Sequence, residues 1–134
     1  LNLYEMRKNL ISITEQEPVL FYQGNILKNI ENNSNADAMR LIKNFGLKDI
    51  GVEQCSGGEK QKISIINSLL KNGELLILDE PSSALDKNST IYLQKELVKL
   101  KSQKIIIIIS HDLQMDKIAD KILDLDDKNN EEII

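Results

Sequence analysis

Short apolar runs alternate with longer amphipathic segments along the 134 residues of the chain. Four of these runs have the length and composition of strands, at residues 11–14, 75–78, 105–109 and 122–125. The run 105–109 is all isoleucine, and because β-branched side chains favour an extended backbone, we predict it as the most clearly buried strand. The run 75–78 is apolar throughout, as expected for a strand covered on both faces.

The segments between the strands have apolar residues at helical spacing. Residues 36–45 predict a helix that ends at Gly46, and residues 56–71 predict a longer one. Ser56 and Glu59 have the spacing of a capping box, which marks the start of the longer helix. Further helical patterns occupy residues 24–30, 89–100 and 113–119, and the tail from residue 126 is predicted to be loose. The residues predicted to face the core are Met39, Ile42, Phe45, Ile63, Ile66, Leu70, Ile91, Leu97 and Leu100.

Strands that alternate with amphipathic helices predict an α/β fold with a mainly parallel sheet and flanking helices. Polar residues follow three of the predicted strands, as Glu15-Gln16, Asp79-Glu80 and Ser110-His111-Asp112. In open α/β sheets, ligands bind beyond the carboxyl ends of the strands. The sequence therefore predicts a site at this edge of the sheet.

Bulk composition excludes several classes of protein. The net charge is −4, so the chain has no electrostatic footprint for nucleic acid. A single cysteine, Cys55, rules out an internal disulfide and favours a reducing compartment. The longest apolar run is far short of the roughly 20 residues that a membrane span needs, and no signal peptide is visible. Because the chain begins with Leu1 and not with Met, we expect an excised or truncated piece.

Two carboxylates and one imidazole carry the chemistry at the strand ends. Adjacent strand residues point to opposite faces, so Asp79 and Glu80 can have separate roles. One can hold Mg²⁺, directly or through water, and the other can orient or deprotonate a water molecule. His111, the only histidine, can contact a phosphate oxygen, and Gln16 can join a water or metal shell. Taken singly, a solvated acidic turn and an incidental histidine are the commoner explanations.

Ser56, Gly57 and Gly58 make a seat for an anion at the start of the longer helix. Glycines permit close backbone approach, and the free N–H groups and the helix dipole attract negative charge. A well-made capping box explains the same residues without any ligand.

In their order and spacing, these motifs resemble the nucleotide-binding domain of ABC ATPases. Gln16 with Glu17-Pro18 resembles the Q-loop, and the stretch 56–61 (SGGEKQ) resembles the family signature. Residues 75–80 resemble the Walker B strand with its adjoining glutamate, residues 83–86 the D-loop, and His111 the H-switch. The resemblance extends from about residue 11 to 125 and implies a P-loop NTPase-like fold with a short helical subdomain.

Some details indicate a subfamily. Residues 16–21 and 24–30 are similar to exporter-type transporters, in which this segment meets the transmembrane partner. The stretch 79–86 (DEPSSALD) is transporter-like as well. Glu59 in the signature slightly favours soluble relatives, such as translation factors and chromosome-maintenance proteins, but the other features outweigh it.

One essential part of the family pattern is missing. The phosphate-binding loop, G-x-x-x-x-G-K-[ST], has no counterpart, and the first glycine of the chain is Gly24. In the family, the absent Walker A strand is central in the sheet, so we expect this piece to lack part of its own core. The resemblance therefore implies that residues 1–134 are a partial ABC ATPase domain, with a helical subdomain at about 25–55 and the C-terminal part of the catalytic core in the remainder.

The resemblance also implies cofactors and residue roles. The cofactors are ATP and Mg²⁺, bound in a head-to-tail sandwich of two such domains. Glu80 and His111 are the implied catalytic residues, one acting on the attacking water and the other contacting the γ-phosphate. The implied metal and water shell consists of Asp79 and Gln16, and the implied ATP contacts are Gln16, Ser56, Gly57, Gly58, Glu59 and Asp86, with Asp86 also tying the two subunits together.

The implied partners are a second ABC ATPase domain and the transmembrane domain of a transporter, with no nucleic acid. The implied location is the cytoplasmic face of a membrane. Two hypotheses stay open from the sequence. One is the C-terminal part of an ATP-hydrolysing domain of an exporter-like transporter. The other is a non-hydrolysing remnant or fragment, or part of a soluble ABC-family ATPase that is not coupled to transport.

Overall fold

A computed structural model describes residues 2–14, 18–21 and 23–125. Three strands, five α-helices and two short 3₁₀ helices follow one another along these residues. The strands are β1 (Ile11–Thr14), β2 (Leu75–Asp79) and β3 (Ile105–Ile109). The helices are α1 (Leu3–Leu10), α2 (Ala36–Asn44), α3 (Gly57–Leu70), α4 (Lys87–Leu100) and α5 (Leu113–Asp116), and the 3₁₀ helices are Ile26–Asn29 and Val52–Gln54.

The three strands form one parallel sheet in the order β1-β2-β3. This confirms the predicted α/β fold with its parallel sheet. Ile13 lies opposite Ile77, which lies opposite Ile107, so the three central isoleucines stand side by side on one face. Asp79, the last residue of β2, lies opposite Ile109, the last residue of β3. The carboxyl ends of these two strands are therefore level.

One face of the sheet is buried. Leu76 and Leu78 of β2 are fully buried, and Ser12 and Thr14 of β1 are buried beside them. Helix α3 lies against this face, where its Ser68 hydroxyl donates to the carbonyl of Ile13 at 3.3 Å. The core beneath the sheet also includes Ile26, Ala38, Leu41, Phe45, Ile63, Ile65, Ile66, Leu93, Leu97 and Met115.

The opposite face of the sheet is open, which corrects the prediction that residues 105–109 are the most buried strand. Ile105, Ile107 and Ile109 are 68%, 45% and 51% exposed. The strand itself is confirmed, because β-branched side chains stiffen an extended backbone whether or not they are covered. Burial, by contrast, requires a second layer over this face, and the described residues supply none. Strand β3 also lies at an edge of this sheet.

The strand predicted at 122–125 is wrong. These residues pair with no strand of the described part of the chain, and Ile122, Leu123 and Leu125 are exposed. An isolated extended segment gains no ladder hydrogen bonds, so an apolar composition alone does not make a strand. The helix predicted at 113–119 ends earlier, at Asp116. Helix α1 was not predicted, and the tail from 126 lies outside the described residues.

Helices α2 and α4 form where predicted, and the predicted core residues Phe45 and Leu97 are buried, but other positions differ from the prediction. In α2, Ala38 and Leu41 are buried while Met39 is 59% exposed. In α4, five residues are buried. Two of them are apolar, Leu93 and Leu97, and three are polar, Ser89, Thr90 and Glu96. Periodicity finds apolar stripes only, so it missed a helix face whose polar residues are buried with hydrogen-bond partners.

An ion pair between exposed Arg40 and buried Glu96 joins α2 to α4. Arg40 donates two hydrogen bonds to the Glu96 carboxylate, at 2.9 and 3.2 Å, and a third to the Tyr92 hydroxyl at 2.8 Å. Lys99 adds a hydrogen bond to Glu96 at 2.9 Å. Burial by itself raises the pKa of Glu96, but these cationic partners outweigh it and hold the pKa below its ordinary value of 4.5. Glu96 therefore stays ionised in the core only because its partners are in place.

We predict that Arg40→Ala destabilises the chain by about 1–3 kcal/mol, because it removes donors from a buried carboxylate. Because the pKa of Glu96 is lowered on folding, this stabilisation is present above pH 4.5 and is lost as the pH falls through the folded-state value. Urea unfolding at pH 7 and below pH 4 measures both effects. Lys43→Ala, on the same helix and exposed, is the matched control. Equal stabilities of Arg40→Ala and Lys43→Ala at pH 7 would contradict the prediction.

Candidate functional site

The ends of β2 and β3 bring the two candidate catalytic residues together. The backbone N–H of Glu80 donates to the carbonyl of Ile109 at 2.8 Å, which extends the pairing of the two strands by one residue. The His111 Nε2 atom lies 3.5 Å from the Glu80 Oε1 atom. The Glu80 side chain is 18% exposed and the His111 side chain 98% exposed. The pair thus has one sheltered carboxylate and one imidazole that is open to an incoming ligand.

Glu80 has a strained backbone, with φ of 45°. A non-glycine residue in this left-handed region costs of order 1 kcal/mol or more, and such strain is concentrated at functional sites. The chain bends at Glu80, directly after the end of β2. Pro81, which follows, is buried and anchors the turn.

Asp86 lies at the start of α4 and holds that helix against α3. Its carboxylate accepts from the Ser89 backbone N–H at 2.9 Å and from the Ser89 hydroxyl at 2.7 Å, as an N-cap does. It also pairs with Lys62 of α3 at 2.9 Å. The Lys62 contact and then the Ser89 hydrogen bonds hold the pKa of Asp86 well below its ordinary range. This contact within the chain was not predicted, and the predicted contact with a second subunit stays a prediction.

The start of α3 has the predicted capping box. The Ser56 N–H donates to Glu59 Oε2 at 2.6 Å, the Ser56 hydroxyl donates to the same oxygen, and the Glu59 N–H donates back to Ser56 Oγ at 3.3 Å. The hydroxyl and then the backbone of Ser56 lower the pKa of Glu59. The anion at this helix start is therefore the chain's own Glu59 carboxylate.

Gly57 and Gly58 differ in their surroundings. A Cβ atom at Gly57 would meet nothing within 4 Å, so this backbone is open to a ligand. A Cβ atom at Gly58 would lie 2.6 Å from the carbonyl oxygen of Ala84. Gly58 thus lets the loop 81–85, which follows Glu80, pack directly on the start of α3. Within the described ranges no hydrogen bond or ion pair joins Ser56 to Glu80 or His111.

The donor set at the strand ends fits Mg²⁺ chemically. This ion takes one or two carboxylates and completes its shell with water and phosphate oxygens. Asp79, half-buried at the end of β2, supplies one such carboxylate. Gln16, the other predicted ligand, lies outside the described residues. The described residues contain no cluster of three or more potential metal-binding side chains, so a bound ion depends on oxygens from elsewhere.

Sequence reasoning missed two contacts that shape the site. Lys62 pairs with Asp86 across 24 positions, and no local pattern reveals such a pair. The Ser82 hydroxyl donates to Asp112 Oδ2 at 2.9 Å, which connects the loop after β2 to the segment after β3. Asp112 is the N-cap of α5, and a helix predicted to begin at residue 113 was a signal for that capping role.

Comparison with known families identifies the chain. The family model described as ABC transporter matches residues 2–83, more than half of the sequence. The chain belongs to the ABC transporter family. This confirms the resemblance drawn from the motifs, and the P-loop NTPase-like fold follows with it.

Curated members of the family are substantially longer than this chain. Multidrug resistance protein 1 of Plasmodium falciparum is 34% identical over 142 residues, which is 91% of this chain and 10% of that protein. The putative hemin import ATP-binding protein HrtA of Staphylococcus aureus is 34% identical over 99 residues, 70% of this chain and 45% of that protein. The chain thus spans a small part of one relative and less than half of the other.

Solved structures agree on the fold. The ATP-binding cassette MJ0796, a dimer bound to ADP and Pi, superposes with a TM-score of 0.71 at 21% identity, covering 89% of this chain and 61% of that one. A bacterial Atm1-family ABC exporter with ATP bound has a TM-score of 0.67 at 28% identity, covering 78% and 22%. The archaeal ribosome recycling factor aABCE1 superposes with a TM-score of 0.69 at 28% identity, covering 83% of this chain and 24% of that one. This chain is 28% identical in sequence to both the Atm1-family exporter and aABCE1, so sequence identity favours neither of them.

No helix among the described residues of this family member is long and apolar enough to cross a bilayer.

We predict that Gly58→Ala lowers the free energy of unfolding by about 1–3 kcal/mol relative to Gly57→Ala, because its methyl group collides with the Ala84 carbonyl. Both changes replace glycine by alanine in the first turn of α3, so helix propensity is matched between them. Denaturant unfolding of the two variants measures the difference. Equal stability would show that the loop 81–85 moves away from α3 without cost.

Proposed function

We propose that this chain is the C-terminal part of an ATP-hydrolysing domain of an exporter-like ABC transporter. The observation that carries the proposal is the Glu80–His111 pair, held 3.5 Å apart at the level ends of β2 and β3 in a member of this family. A sheltered carboxylate beside an exposed imidazole suits a reaction in which a water molecule attacks a phosphate.

In the proposed reaction, Glu80 orients or deprotonates the attacking water and His111 contacts the γ-phosphate. Magnesium, when bound with ATP, neutralises charge on the phosphate oxygens. Asp79 and Gln16 are the proposed ligands of its metal and water shell. Protein groups therefore contribute by positioning and charge stabilisation, and not by forming a covalent intermediate. The strained backbone of Glu80 supports this role, since it fixes the direction in which the carboxylate leaves the strand.

The start of α3 is proposed to serve a nucleotide held by another subunit. Ser56 has no hydrogen bond to Glu80 or His111 within the described part of its own chain, which is consistent with a site divided between two domains. The open backbone at Gly57 supports a phosphate contact there. Glu59 occupies the Ser56 donors in the free chain, so an incoming phosphate has to displace or rearrange this carboxylate. Asp86 is proposed to contact the second domain from its place beside Lys62.

The phosphate-binding loop is proposed to come from chain outside these 134 residues. The sequence has no G-x-x-x-x-G-K-[ST] stretch. The open face of the sheet has exposed isoleucines at 105, 107 and 109, and the outer edge of β3 pairs with no described strand. Together they provide room for a further strand and its covering layer. Covering this apolar surface also supplies a hydrophobic driving force for completing the domain.

Residues 25–55 are proposed as a helical subdomain. The two ends of this segment are bonded to each other: the Ile26 N–H donates to Ile50 at 2.9 Å, and the Val52 N–H donates to Gly24 at 2.7 Å. Because its two ends are hydrogen-bonded to each other, the segment leaves the core and returns to it at one place, just before the start of α3. The remainder forms the proposed C-terminal part of the catalytic core.

The exporter-like assignment rests on the segments 16–21 and 24–30 and on the similarity to multidrug resistance protein 1 and the Atm1-family exporter. Under this assignment, the proposed location is the cytoplasmic face of a membrane, with the domain attached to a transmembrane partner. The aABCE1 neighbour favours a second candidate, a soluble ABC ATPase that is not coupled to transport. A non-hydrolysing remnant is the third.

We predict that Glu80→Gln, in a domain completed with a phosphate-binding loop, retains ATP binding but lowers hydrolysis about 10²- to 10⁴-fold, the usual contribution of a general base. The isolated 134-residue chain is predicted to have negligible turnover. Phosphate release and nucleotide binding are measured in parallel. Glu74→Gln removes an exposed carboxylate just before the other end of β2 and is the matched control.

Normal turnover in Glu80→Gln would remove Glu80 from the catalytic role. A completed domain that binds ATP without hydrolysing it would support the remnant instead. Robust turnover by the isolated chain, abolished by Glu80→Gln, would overturn the need for an external phosphate-binding loop.

A further inference from the structure

Two polar side chains outside the motifs connect the segments that carry Glu80 and His111. Ser82 lies two residues after Glu80, and Asp112 directly follows His111. The Ser82 hydroxyl donates to Asp112 Oδ2 at 2.9 Å. The same two segments are also joined at their base by the Glu80 N–H bond to Ile109. Two hydrogen bonds therefore join the segments that carry Glu80 and His111.

His111 has little of its own to hold it in place. Its side chain is 98% exposed, and among the described residues its ion-pair partner is Glu80, at 3.5 Å. Its two neighbours, by contrast, are bonded to each other, because the Asp112 N–H donates to the Ser110 hydroxyl at 2.9 Å. The direction of the His111 side chain is therefore set by the backbone on either side of it.

Asp112 is the best-anchored residue of this segment. Its Oδ1 atom accepts from the Gln114 N–H at 2.9 Å, and its carbonyl accepts from the N–H of Met115, which is buried. Its second carboxylate oxygen, Oδ2, is left to receive the Ser82 hydroxyl. One carboxylate thus fastens the start of α5 through one oxygen and the loop after β2 through the other.

We infer that the Ser82–Asp112 hydrogen bond positions His111 against Glu80. Ser82 and Asp112 are positioning residues in this scheme, acting through the segments that they join. The inference deepens the proposed function and rests on it for the catalytic consequence, whereas the positioning itself is testable without nucleotide. A hydrogen bond of this kind resists small displacements of the pair, and small displacements are costly in a reaction that depends on alignment.

The first test uses the 134-residue chain without nucleotide. His111 is the only histidine, so its imidazole gives a single set of proton–carbon NMR correlations. We expect Ser82→Ala to shift or broaden these signals, and Ser82→Thr, which keeps the hydroxyl, to restore them. Asp112→Ser keeps an N-cap residue for α5 but is too short to reach Ser82, so it should reproduce the effect of Ser82→Ala.

Ser83→Ala is the matched control, because it removes the exposed hydroxyl next in sequence. Thermal melts followed by circular dichroism identify any variant that is unfolded, and the Ser82→Thr comparison remains available if another variant fails to fold. Unchanged imidazole signals in folded Ser82→Ala would overturn the inference. So would signals in Ser82→Thr that match those of Ser82→Ala.

The second test uses the completed, hydrolysing domain. We expect Ser82→Ala to lower kcat about tenfold, equivalent to the loss of one hydrogen bond, with the KM for ATP little changed. The double variant Ser82→Ala, Asp112→Ser should lose no more than either single change, since both remove the same contact. An unaltered kcat, in a domain that Glu80→Gln inactivates, would overturn the catalytic part. If Glu80→Gln has no effect, the proposed function fails, and the NMR result still decides whether the bond positions His111.

Discussion

Strand β2 is hydrogen-bonded along both edges, to β1 on one side and β3 on the other, and the parallel register of these ladders places the rest of the molecule. Because Asp79 lies level with Ile109, the residues that follow the two strands leave the sheet together. Glu80 and His111 are 31 positions apart in sequence and meet only for this reason. The strained turn at Glu80, with its N–H bonded to Ile109, continues the same pairing beyond the strand.

The same sheet is covered on one face only among the described residues. Its buried face is covered by helices of this chain, whereas its other face shows isoleucines at 105, 107 and 109. The exposed face is consistent with the size of the chain, because a related ATP-binding cassette is larger. The match covers only 61% of the MJ0796 cassette. The residues proposed to act on a phosphate are brought together here, while the sequence contains no counterpart of the phosphate-binding loop. In this chain, the Glu59 carboxylate accepts the Ser56 N–H and so occupies the anion position at the start of α3.

Local patterns predicted most of the elements but not what covers them. Ile105–Ile109 forms the predicted strand because β-branching acts on the backbone of each residue separately. Its exposure depends on neighbours that no local pattern contains. The failure at 122–125 has the same origin, since a strand needs a partner edge. Polar residues of α4 such as Glu96 were missed because their burial depends on Arg40, which lies 56 positions earlier.

The sequence by itself determined the family, the order of the motifs and the residue types that the chemistry requires, because these depend on spacing along one chain. It also determined the capping box at Ser56 and Glu59, which are three residues apart and bond across a single helical turn. Only the tertiary structure decided that Asp86 pairs with Lys62, that Gly58 admits the Ala84 carbonyl, and that Ser82 reaches Asp112. Such contacts join segments that are distant in sequence, and their geometry follows from the packing of helices on a sheet whose register no single segment encodes.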